Sequence, residues 1–331
     1  MKWPDGLRLS VALCTCNGEK YLGAQLECLL AQTRLPDEIA VGDDGSGDNS
    51  WSMLEVFSRC AADVGIVAHL RQNRVNVGYV ENFSTTLGAA TGDVVLLCDQ
   101  DDVWRMDKTK VVAGRFERDP RLLLLHSDAR LVDAAGADMG CTLFEALQLT
   151  RTEIDLIHAG RAFEVLARRS CVTGATMAFR RELVELALPV GEGWIHDEWL
   201  AVIAAAVGKV DVIEQPLIDY RQHGSNQLGM RPRAWRDKWH DLRHARGALL
   251  RAEIARLRVL GKRLDALGGL VAADKKQLLA ARGAHLERRI AIGALPHWRR
   301  WPAVWREARD GFYRRFGTGG RSLLRDLLRR D

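Results

Sequence analysis

The sequence predicts an α/β fold, in which helices flank a mainly parallel sheet, followed by a basic helical region. Short apolar runs alternate four times in succession with stretches whose apolar residues recur at helical spacing. Runs such as "VVLLC" (94–98) are continuously apolar, as strands of a parallel sheet buried on both faces should be. The composition then changes: residues 231–331 hold 26 Lys+Arg and 10 Asp+Glu, whereas residues 1–230 hold 22 and 33. These observations predict two regions with different roles.

The predicted elements follow one another with short connections. Each predicted strand is an apolar run that ends in a polar loop, and the first helix has Tyr21, Leu22, Leu26, Leu29 and Leu30 at helical spacing. The predicted strands are "LRLSVALCTC", "DEIAV", "IVAHLRQN", "GDVVLLCD" and "RLLLLHSDARLVD". The predicted helices between them are "GEKYLGAQLECLLAQT", "SWSMLEVFSRCAADVG", "NFSTTLGAAT" and "DKTKVVAGRFERD".

Polar loops follow the first, second and fourth strands: "CTCNGEKY", "GDDGSGD" and "DQDDVW". In open α/β sheets, ligands bind outside the carboxyl ends of the strands, so these loops should gather around one crevice. Neither GxGxxG nor GxxxxGK[ST] occurs, and the sequence therefore supports neither a dinucleotide fingerprint nor a P-loop.

The third loop places three carboxylates, Asp99, Asp101 and Asp102, directly after a buried strand. Residues i and i+2 of a strand point the same way, so Asp99 and Asp101 can reach one ion. Hard cations such as Mg²⁺ or Mn²⁺ take one or two carboxylates together with substrate phosphates. The loop therefore predicts a divalent-cation site, and the alternative is a solvated acidic turn that caps the next helix.

Several motifs occur together in a characteristic order. They are "CTCNGEKYL", "VGDDGSGDNS", "NVGYVENF", "GDVVLLCDQDDVW", "TGATMAFRREL", "HDEWL" and "YRQHGSNQ". In this order and spacing they resemble the inverting family 2 glycosyltransferases of the GT-A fold, and "DQDDVW" is similar to the bacterial rhamnosyltransferase-like branch. The resemblance covers roughly residues 7–228. It implies a nucleotide-diphospho-sugar transferase with a Rossmann-like sheet.

The resemblance implies contacts with a sugar-nucleotide donor at matching positions. The first nucleotide loop would include Thr15, Asn17 and Glu19. The base or ribose would be contacted by Asp44 together with Asp43. The nucleotide side of the crevice would be shaped by Asn76 and Gly78. Asp99 and Asp101 match the family's DxD element, and both would bind the metal together with His223. Asp101 is the favoured direct ligand, and Asp99 would also contact the donor. Asp102 and Trp104 would lie near the donor sugar.

Two further motifs match the catalytic side of the crevice. "HDEW" makes Asp197 the catalytic base, although Asp197 also fits a helix N-cap before "EWLAVIAAAVG", and both roles can hold. His223 matches a histidine near the metal and diphosphate, and the alternative is a loop histidine that the backbone satisfies. Two positions depart from the family pattern: Cys16 replaces an aromatic before the loop Asn, and His196 replaces an acid beside the base.

The chemistry implied is metal-dependent transfer with inversion, because a single base would assist direct displacement at the sugar. The branch suggests dTDP-L-rhamnose as donor, with UDP-hexoses second, and a glycan or lipid-linked saccharide as acceptor in cell-surface polysaccharide synthesis. A haloacid-dehalogenase-type phosphatase is the alternative enzyme, since "VVLLCDQDDV" also fits its first motif. However, in that fold the nucleophile strand normally comes first. A non-catalytic peripheral membrane protein on a transferase fold is the remaining alternative.

We expect a transferase domain over residues 1–228 and a Trp/Arg-rich helical region over residues 229–331. The basic helices either pack with solvated arginines or form a surface that binds anionic lipid, for which "LPHWRRWPAVWREARDGFYRRF" is the best candidate. Nucleic acid is not an expected partner. The first apolar run is interpreted as a strand and not a secretory signal, and the seven cysteines as buried thiols of a reducing cytosol. These features predict a cytoplasmic protein, peripheral on the inner face of the membrane.

Overall fold

The computed structural model describes residues 6–224 and 246–329. The chain divides into two compact units. The first comprises Met1–Leu166, Ser170–Val190 and Ile195–Met230, and the second comprises Ala167–Arg169, Gly191–Trp194 and Arg231–Asp331. The domain boundary predicted at 228/229 lies outside the described residues.

One sheet organises the first unit, and nine strands of it lie in the described residues. They are β1 (Leu9–Thr15), β2 (Glu38–Asp43), β3 (Val67–Gln72), β4 (Val94–Cys98), β5 (Val103–Trp104), β6 (Leu122–Val132), β7 (Asp138–Thr142), β8 (Met177–Arg180) and β9 (Lys209–Arg221). Their spatial order is β3-β2-β1-β4-β8-β6-β9-β5, with β7 paired to β6. The five strands that the sequence predicts are confirmed as β1, β2, β3, β4 and β6.

The two halves of the sheet differ in strand direction. Strands β3, β2, β1 and β4 are parallel, as predicted. Strand β8 then inserts antiparallel between β4 and β6, while β9 pairs parallel with β6 and antiparallel with β5. The sequence reading did not anticipate this mixed half, because β8 is only four residues long and pairs with strands far away in sequence. The fold is thus α/β with a mixed sheet.

Nine helices accompany the sheet in the described part of the first unit. They are α1 (Glu19–Leu30), α2 (Ser50–Asp63), α3 (Tyr79–Ala89), α4 (Lys108–Arg118), α5 (Leu143–Ala146), α6 (Arg151–His158), α7 (Ala162–Leu166), α8 (Glu182–Ala187) and α9 (His196–Val207). The first four confirm the predicted helices. Capping boxes start α5 at Thr142 and α6 at Thr150, because each threonine is bonded reciprocally with a glutamate three residues later.

Strand register determines which loops meet. Thr15 at the end of β1 lies opposite Asp43 at the end of β2, and Leu13 lies opposite Cys98 at the end of β4. Strands β1, β2 and β4 are buried along their whole length, and their apolar side chains form the main core with α1, α2 and α4. The loops after these three strands therefore leave a rigid sheet at the same edge.

The second unit is helical, as the sequence predicts. Its described helices are α10 (Gly247–Ala266), α11 (Ala273–Gly293), α12 (His297–Arg309), α13 (Phe312–Phe316) and α14 (Gly320–Leu328). A small apolar cluster includes Ile292, Val304 and Tyr313. In neither described range is any helix both long enough and apolar enough to span a bilayer.

Several arginines of this unit are buried rather than solvated. Arg289 of α11 donates two hydrogen bonds to the fully buried Asp326 of α14, with Nε and Nη2 at 2.7 and 3.1 Å from the carboxylate oxygens. Tyr313 donates to the same carboxylate over 2.8 Å. Arg300 of α12 donates to the backbone oxygens of Gly293 and Arg329, each over 2.6 Å. Charge-assisted hydrogen bonds thus accompany apolar packing in the interior of this unit.

Candidate active site

The loops after β1 and β4 are joined by Gln100. Its Oε1 accepts from the backbone nitrogen of Cys16 over 2.7 Å, and its Nε2 donates to the Cys16 oxygen over 3.1 Å. These paired bonds resemble those between neighbouring strands and fix the acidic loop against the first loop. Sequence reasoning missed Gln100, although its position between the acidic residues of "DQDD" was a signal.

Asp43 and Thr15 connect the first and second loops. Asp43 is fully buried and accepts from Thr15 Oγ1 over 2.8 Å, from the Ser46 amide and hydroxyl, and from Gln72 Nε2 over 3.1 Å. These donors satisfy the buried carboxylate. In this structure both residues stabilise the loop at the crevice edge.

Asp44 shapes the loop that precedes α3. Its Oδ1 accepts from Asn73 Nδ2 and from the Val77 amide, each over 2.8 Å, and its Oδ2 accepts from the Gly78 amide over 2.9 Å. Gly78 has a φ of 89°, a conformation that side chains rarely adopt. Asn76 Nδ2 donates to the backbone oxygen of Asp44 over 3.3 Å and to Cys16 Sγ over 3.2 Å. Asp44, Asn76 and Gly78 therefore lie together, as they must if they share one site.

Asn17 and Glu19 fasten the first loop to the second. Asn17 has a φ of 50° and accepts from the Gly47 amide over 2.9 Å. Glu19 accepts from Asn49 Nδ2 over 2.6 Å and from the Asn49 amide over 3.2 Å. Both side chains are exposed, unlike Asp43, so they remain accessible at the rim of the crevice.

The acidic loop itself is not a solvated turn. Asp102 is buried, with Oδ1 accepting from the Arg221 amide over 3.0 Å, while Oδ2 has no hydrogen-bond partner among the described residues. Burial, followed by the charges of Asp101 and Asp99, raises the pKa of Asp102 well above its ordinary value. Burial also raises the pKa of the partly exposed Asp99, with smaller contributions from the charges of Asp101 and Asp197. These carboxylates therefore lie close together with too little compensating positive charge.

Lys108, at the start of α4, supplies part of that compensation. It is buried, donates to the backbone oxygen of Ala175 over 2.9 Å and lies 3.7 Å from the centre of the Trp104 ring. Burial lowers the pKa of its ammonium to about 8, opposed by the charges of Asp102 and Asp99. Trp104 is itself only 2% exposed, so the structure places it beneath the acidic loop rather than on the crevice surface.

Strand β9 brings His223 to the acidic loop. His223 Nε2 lies 2.8 Å from Asp101 Oδ2, and both side chains remain slightly exposed, at 11 and 14%. The His223 ring stacks on the Tyr21 ring with centroids 4.9 Å apart, and the Arg221 guanidinium lies 4.9 Å from the centre of the Tyr21 ring. Arg221 Nε also donates to Asp101 O over 2.9 Å. The sequence predicted His223 here but not the support from Tyr21 and Arg221.

The predicted cation fits this arrangement. Asp101 and His223 supply carboxylate and imidazole donors that Mg²⁺ or Mn²⁺ can accept, and the two side chains lie in contact with each other. Within the described ranges, no group of three or more His, Cys, Asp or Glu side chains could hold a metal alone. A cation bound here would therefore take its remaining ligands from substrate phosphates or water. Its charge would also lower the raised pKa values of Asp99 and Asp102.

Asp197 lies in the first turn of α9. It is 7% exposed, and its two carboxylate oxygens accept separately from the Gly174 amide over 2.9 Å and the Glu198 amide over 2.7 Å. Burial raises its pKa, while these two amides lower it. Ile195 occupies the N-cap position, so Asp197 does not cap the helix itself. The carboxylate is thus held firmly and lies close enough to Asp99 to raise the pKa of that residue.

His196 does not compete with Asp197 for protons near neutral pH. Its ring is 6% exposed and stacks on Phe83 of α3, with centroids 4.3 Å apart and planes at 17°. Burial lowers its pKa to about 4, so the imidazole is neutral at pH 7. The position that departs from the family pattern therefore contributes packing between α9 and α3.

Comparisons with known proteins identify the fold and family. An uncharacterised glycosyltransferase of Nostoc sp. is 28% identical over 231 residues, which span 66% of this chain and 66% of the relative. An uncharacterised protein of Mycobacterium tuberculosis is 25% identical over 249 residues, or 74% of this chain and 67% of the relative. The matched region thus spans about two thirds of these relatives.

Among solved structures, S. aureus TarS 1–349 in complex with UDP-GlcNAc has a TM-score of 0.54 at 16% identity, covering 97% of this chain and 89% of that one. This similarity confirms the GT-A fold. A family model for glycosyl transferase family 2 matches residues 10–185, which are more than half of the sequence. The matched range includes the loops after β1, β2 and β4. The chain therefore belongs to glycosyl transferase family 2.

Proposed function

We propose that this protein transfers a sugar, with inversion, from a nucleotide-diphosphate donor to an acceptor hydroxyl, using a divalent cation and Asp197 as the base. One observation supports the proposal most strongly. The carboxylates of Asp99, Asp101 and Asp102 gather near Asp197 at one edge of the sheet, with His223 in contact with Asp101. Such a concentration of negative charge favours a cation between the protein and a diphosphate.

The residues divide the chemistry between them. Asp101 and His223, with Asp99 nearby, would hold Mg²⁺ or Mn²⁺, and the cation would neutralise charge on the leaving diphosphate. Asp197 would take the proton of the acceptor hydroxyl as that oxygen attacks the sugar carbon. The Gly174 and Glu198 amides fix the orientation of its carboxylate, and its raised pKa makes it a better proton acceptor than an exposed aspartate. Direct attack assisted by one base inverts the sugar carbon.

Donor and acceptor are also part of the proposal. The resemblance of the "DQDDVW" and "HDEW" motifs to the rhamnosyltransferase-like branch favours dTDP-L-rhamnose, with UDP-hexoses as the second class. The acceptor is a glycan or lipid-linked saccharide, and the enzyme acts at the cytoplasmic face of the membrane during cell-surface polysaccharide synthesis. Asp102 and Trp104 would act beneath the donor sugar by fixing the acidic loop, since both are buried.

The test is a donor panel with purified protein. Release of nucleoside diphosphate and donor binding are measured with dTDP-L-rhamnose, UDP-glucose, UDP-GlcNAc and GDP-mannose, in Mn²⁺, Mg²⁺ or EDTA. We expect a selective response to one donor that disappears in EDTA. Hydrolysis of p-nitrophenyl phosphate should be absent, and its presence without any donor response would favour the phosphatase.

A matched pair of variants locates the cation. Asp101→Ala should weaken metal-dependent donor binding by at least about tenfold, because it removes a charged ligand. Asp107→Ala removes a carboxylate just before α4 whose side chain is 40% exposed and pairs with Arg105, and it should bind donor normally. An Asp101→Ala protein with an unchanged metal response would exclude Asp101 as a ligand.

A further inference from the structure

Helix α12 exposes three tryptophans along one side. Trp298, Trp301 and Trp305 are 74, 58 and 61% exposed, and the rings of Trp301 and Trp305 stack with centroids 6.4 Å apart. At about 100° per residue, the three positions fall within about 60° of the helix circumference. We call these three residues the tryptophan face. Large aromatic side chains grouped in this way on a protein surface indicate an interaction site.

The opposite side of the helix is fixed in the second unit. Arg300, Val304 and Glu307 are buried, and Arg300 donates to four backbone oxygens of this unit, including Leu295 O over 2.8 Å. The single acidic side chain of α12, Glu307, is held by His285 and Arg288. Helix α12 is therefore a folded element, and its tryptophans are not needed for the apolar interior of the unit.

The charge around the tryptophan face is positive. Arg299, Arg306 and Arg309 are the exposed ionised residues of α12, and no acidic side chain of this helix reaches solvent. Arg309 pairs with Asp310, whereas Arg299 lies over the Trp298 ring at 4.5 Å. Within the residues that the structure describes, neither Arg299 nor Arg306 forms an ion pair. Aromatic rings bordered by unneutralised arginines complement a surface that is anionic outside and apolar beneath.

We propose that the tryptophan face binds the surface of an anionic phospholipid bilayer, with the three indole rings at the level of the headgroups and Arg299 and Arg306 against lipid phosphates. Tryptophan is favoured at this depth because its ring is apolar while its N–H can still bond to water or headgroups. Each basic residue near an anionic leaflet strengthens binding by about fivefold. The face would hold the protein where lipid-linked molecules are found. The proposal stands apart from the transferase assignment, because vesicle binding needs no donor.

The experiment is flotation of the full-length protein with vesicles of phosphatidylcholine alone or with 30% phosphatidylglycerol. The wild type should float with the anionic vesicles and much less with the neutral ones. Replacing the face by Trp298→Ser, Trp301→Ser and Trp305→Ser should weaken this binding by about a hundredfold or more, since three apolar rings no longer leave water. Arg299→Glu with Arg306→Glu should weaken binding to anionic vesicles by more than about tenfold while leaving the weak neutral binding unchanged.

Matched controls separate the face from general surface hydrophobicity. Leu249→Ser and Leu270→Ser replace apolar residues of the same unit that are 61 and 57% exposed, and they should float as the wild type does. Circular dichroism and thermal unfolding confirm that each variant is folded. Undiminished flotation of the folded triple serine variant would overturn the proposal. Failure of the wild type to bind vesicles would also overturn it. If light scattering then shows a wild-type dimer that the triple variant no longer forms, the occupant of the face is a second copy of the chain.

Discussion

Replacing Asp197 by asparagine tests both the chemistry and the local geometry. In the wild type, each carboxylate oxygen accepts one backbone amide, from Gly174 on one side and Glu198 on the other. Asparagine has a single acceptor oxygen, so its NH₂ group must face one of these N–H groups. The change therefore removes the base. It also places the asparagine NH₂ group against a backbone N–H, so that two buried donors face each other without an acceptor.

The two effects have different sizes. Loss of general-base assistance should lower kcat by about 10²–10⁴-fold. The opposed donors should lower the free energy of unfolding by about 1–3 kcal/mol, which is the cost of an unsatisfied buried polar group. A domain with a typical stability of about 5–15 kcal/mol remains folded after such a loss. Turnover should thus fall far more than the folded fraction does.

The assay combines kcat, nucleotide binding by calorimetry and urea unfolding for each variant. Glu198→Gln, which alters the neighbouring acid in the same helical turn, should keep kcat within about threefold because its backbone amide still reaches Asp197. In the wild type, the acid limb of kcat/KM should lie above the ordinary aspartate pKa of about 4, since burial raises the pKa of Asp197 and the base must be ionised. A variant that loses nucleotide binding as severely as turnover would refute the assignment and leave a structural role.

Three further outcomes are expected. Gln100→Leu should raise the donor KM by about 10–100-fold, because it breaks both bonds that join the acidic loop to Cys16; a KM unchanged in steady-state assays would argue against this tether. EDTA should abolish donor-dependent turnover, and Mn²⁺ or Mg²⁺ should restore it without any refolding step. His126 is buried with neither ring nitrogen hydrogen-bonded in the described residues, and burial lowers its pKa to about 4. Since the unfolded imidazole titrates near 6.5, stability should fall from about pH 6.5 to 4 as the unfolded chain takes up protons, and His126→Leu should reduce the loss between pH 7.5 and 5 by about 2 kcal/mol in urea titrations. The same pH dependence in both proteins would show that His126 stays hydrated.

The sequence was most informative where the structure depends on residues that are close together along the chain. The first four strands and the helices between them could be predicted from local apolar periodicity, which strand–helix units display clearly. The mixed half of the sheet could not, because β8 and β9 are placed by partners far along the chain. The buried arginines of the second unit were equally hidden, since their acceptors are single carboxylates and backbone oxygens that no periodicity reveals.

The same distinction applies to the crevice. Motif spacing pointed to Asp101 and His223, which the fold brings into contact across 122 residues of sequence. It did not reveal Gln100, whose partner is backbone 84 residues away, nor Lys108, because a lysine at a helix start is unremarkable in sequence. Conversely, Asp43 and Asp44 were interpreted as donor contacts, and the structure shows how many loop hydrogen bonds each already accepts. Their roles toward a nucleotide stay predictions.

The buried carboxylate of Asp326 also bears on synthesis of the protein. Arg289 is made 37 residues before the carboxylate that neutralises it. At about 5–20 residues per second, roughly 2–7 s pass during which this guanidinium must remain hydrated outside any completed interior. Helices α11 and α12 can form in that interval, but their shared interior cannot close until α14 has been translated.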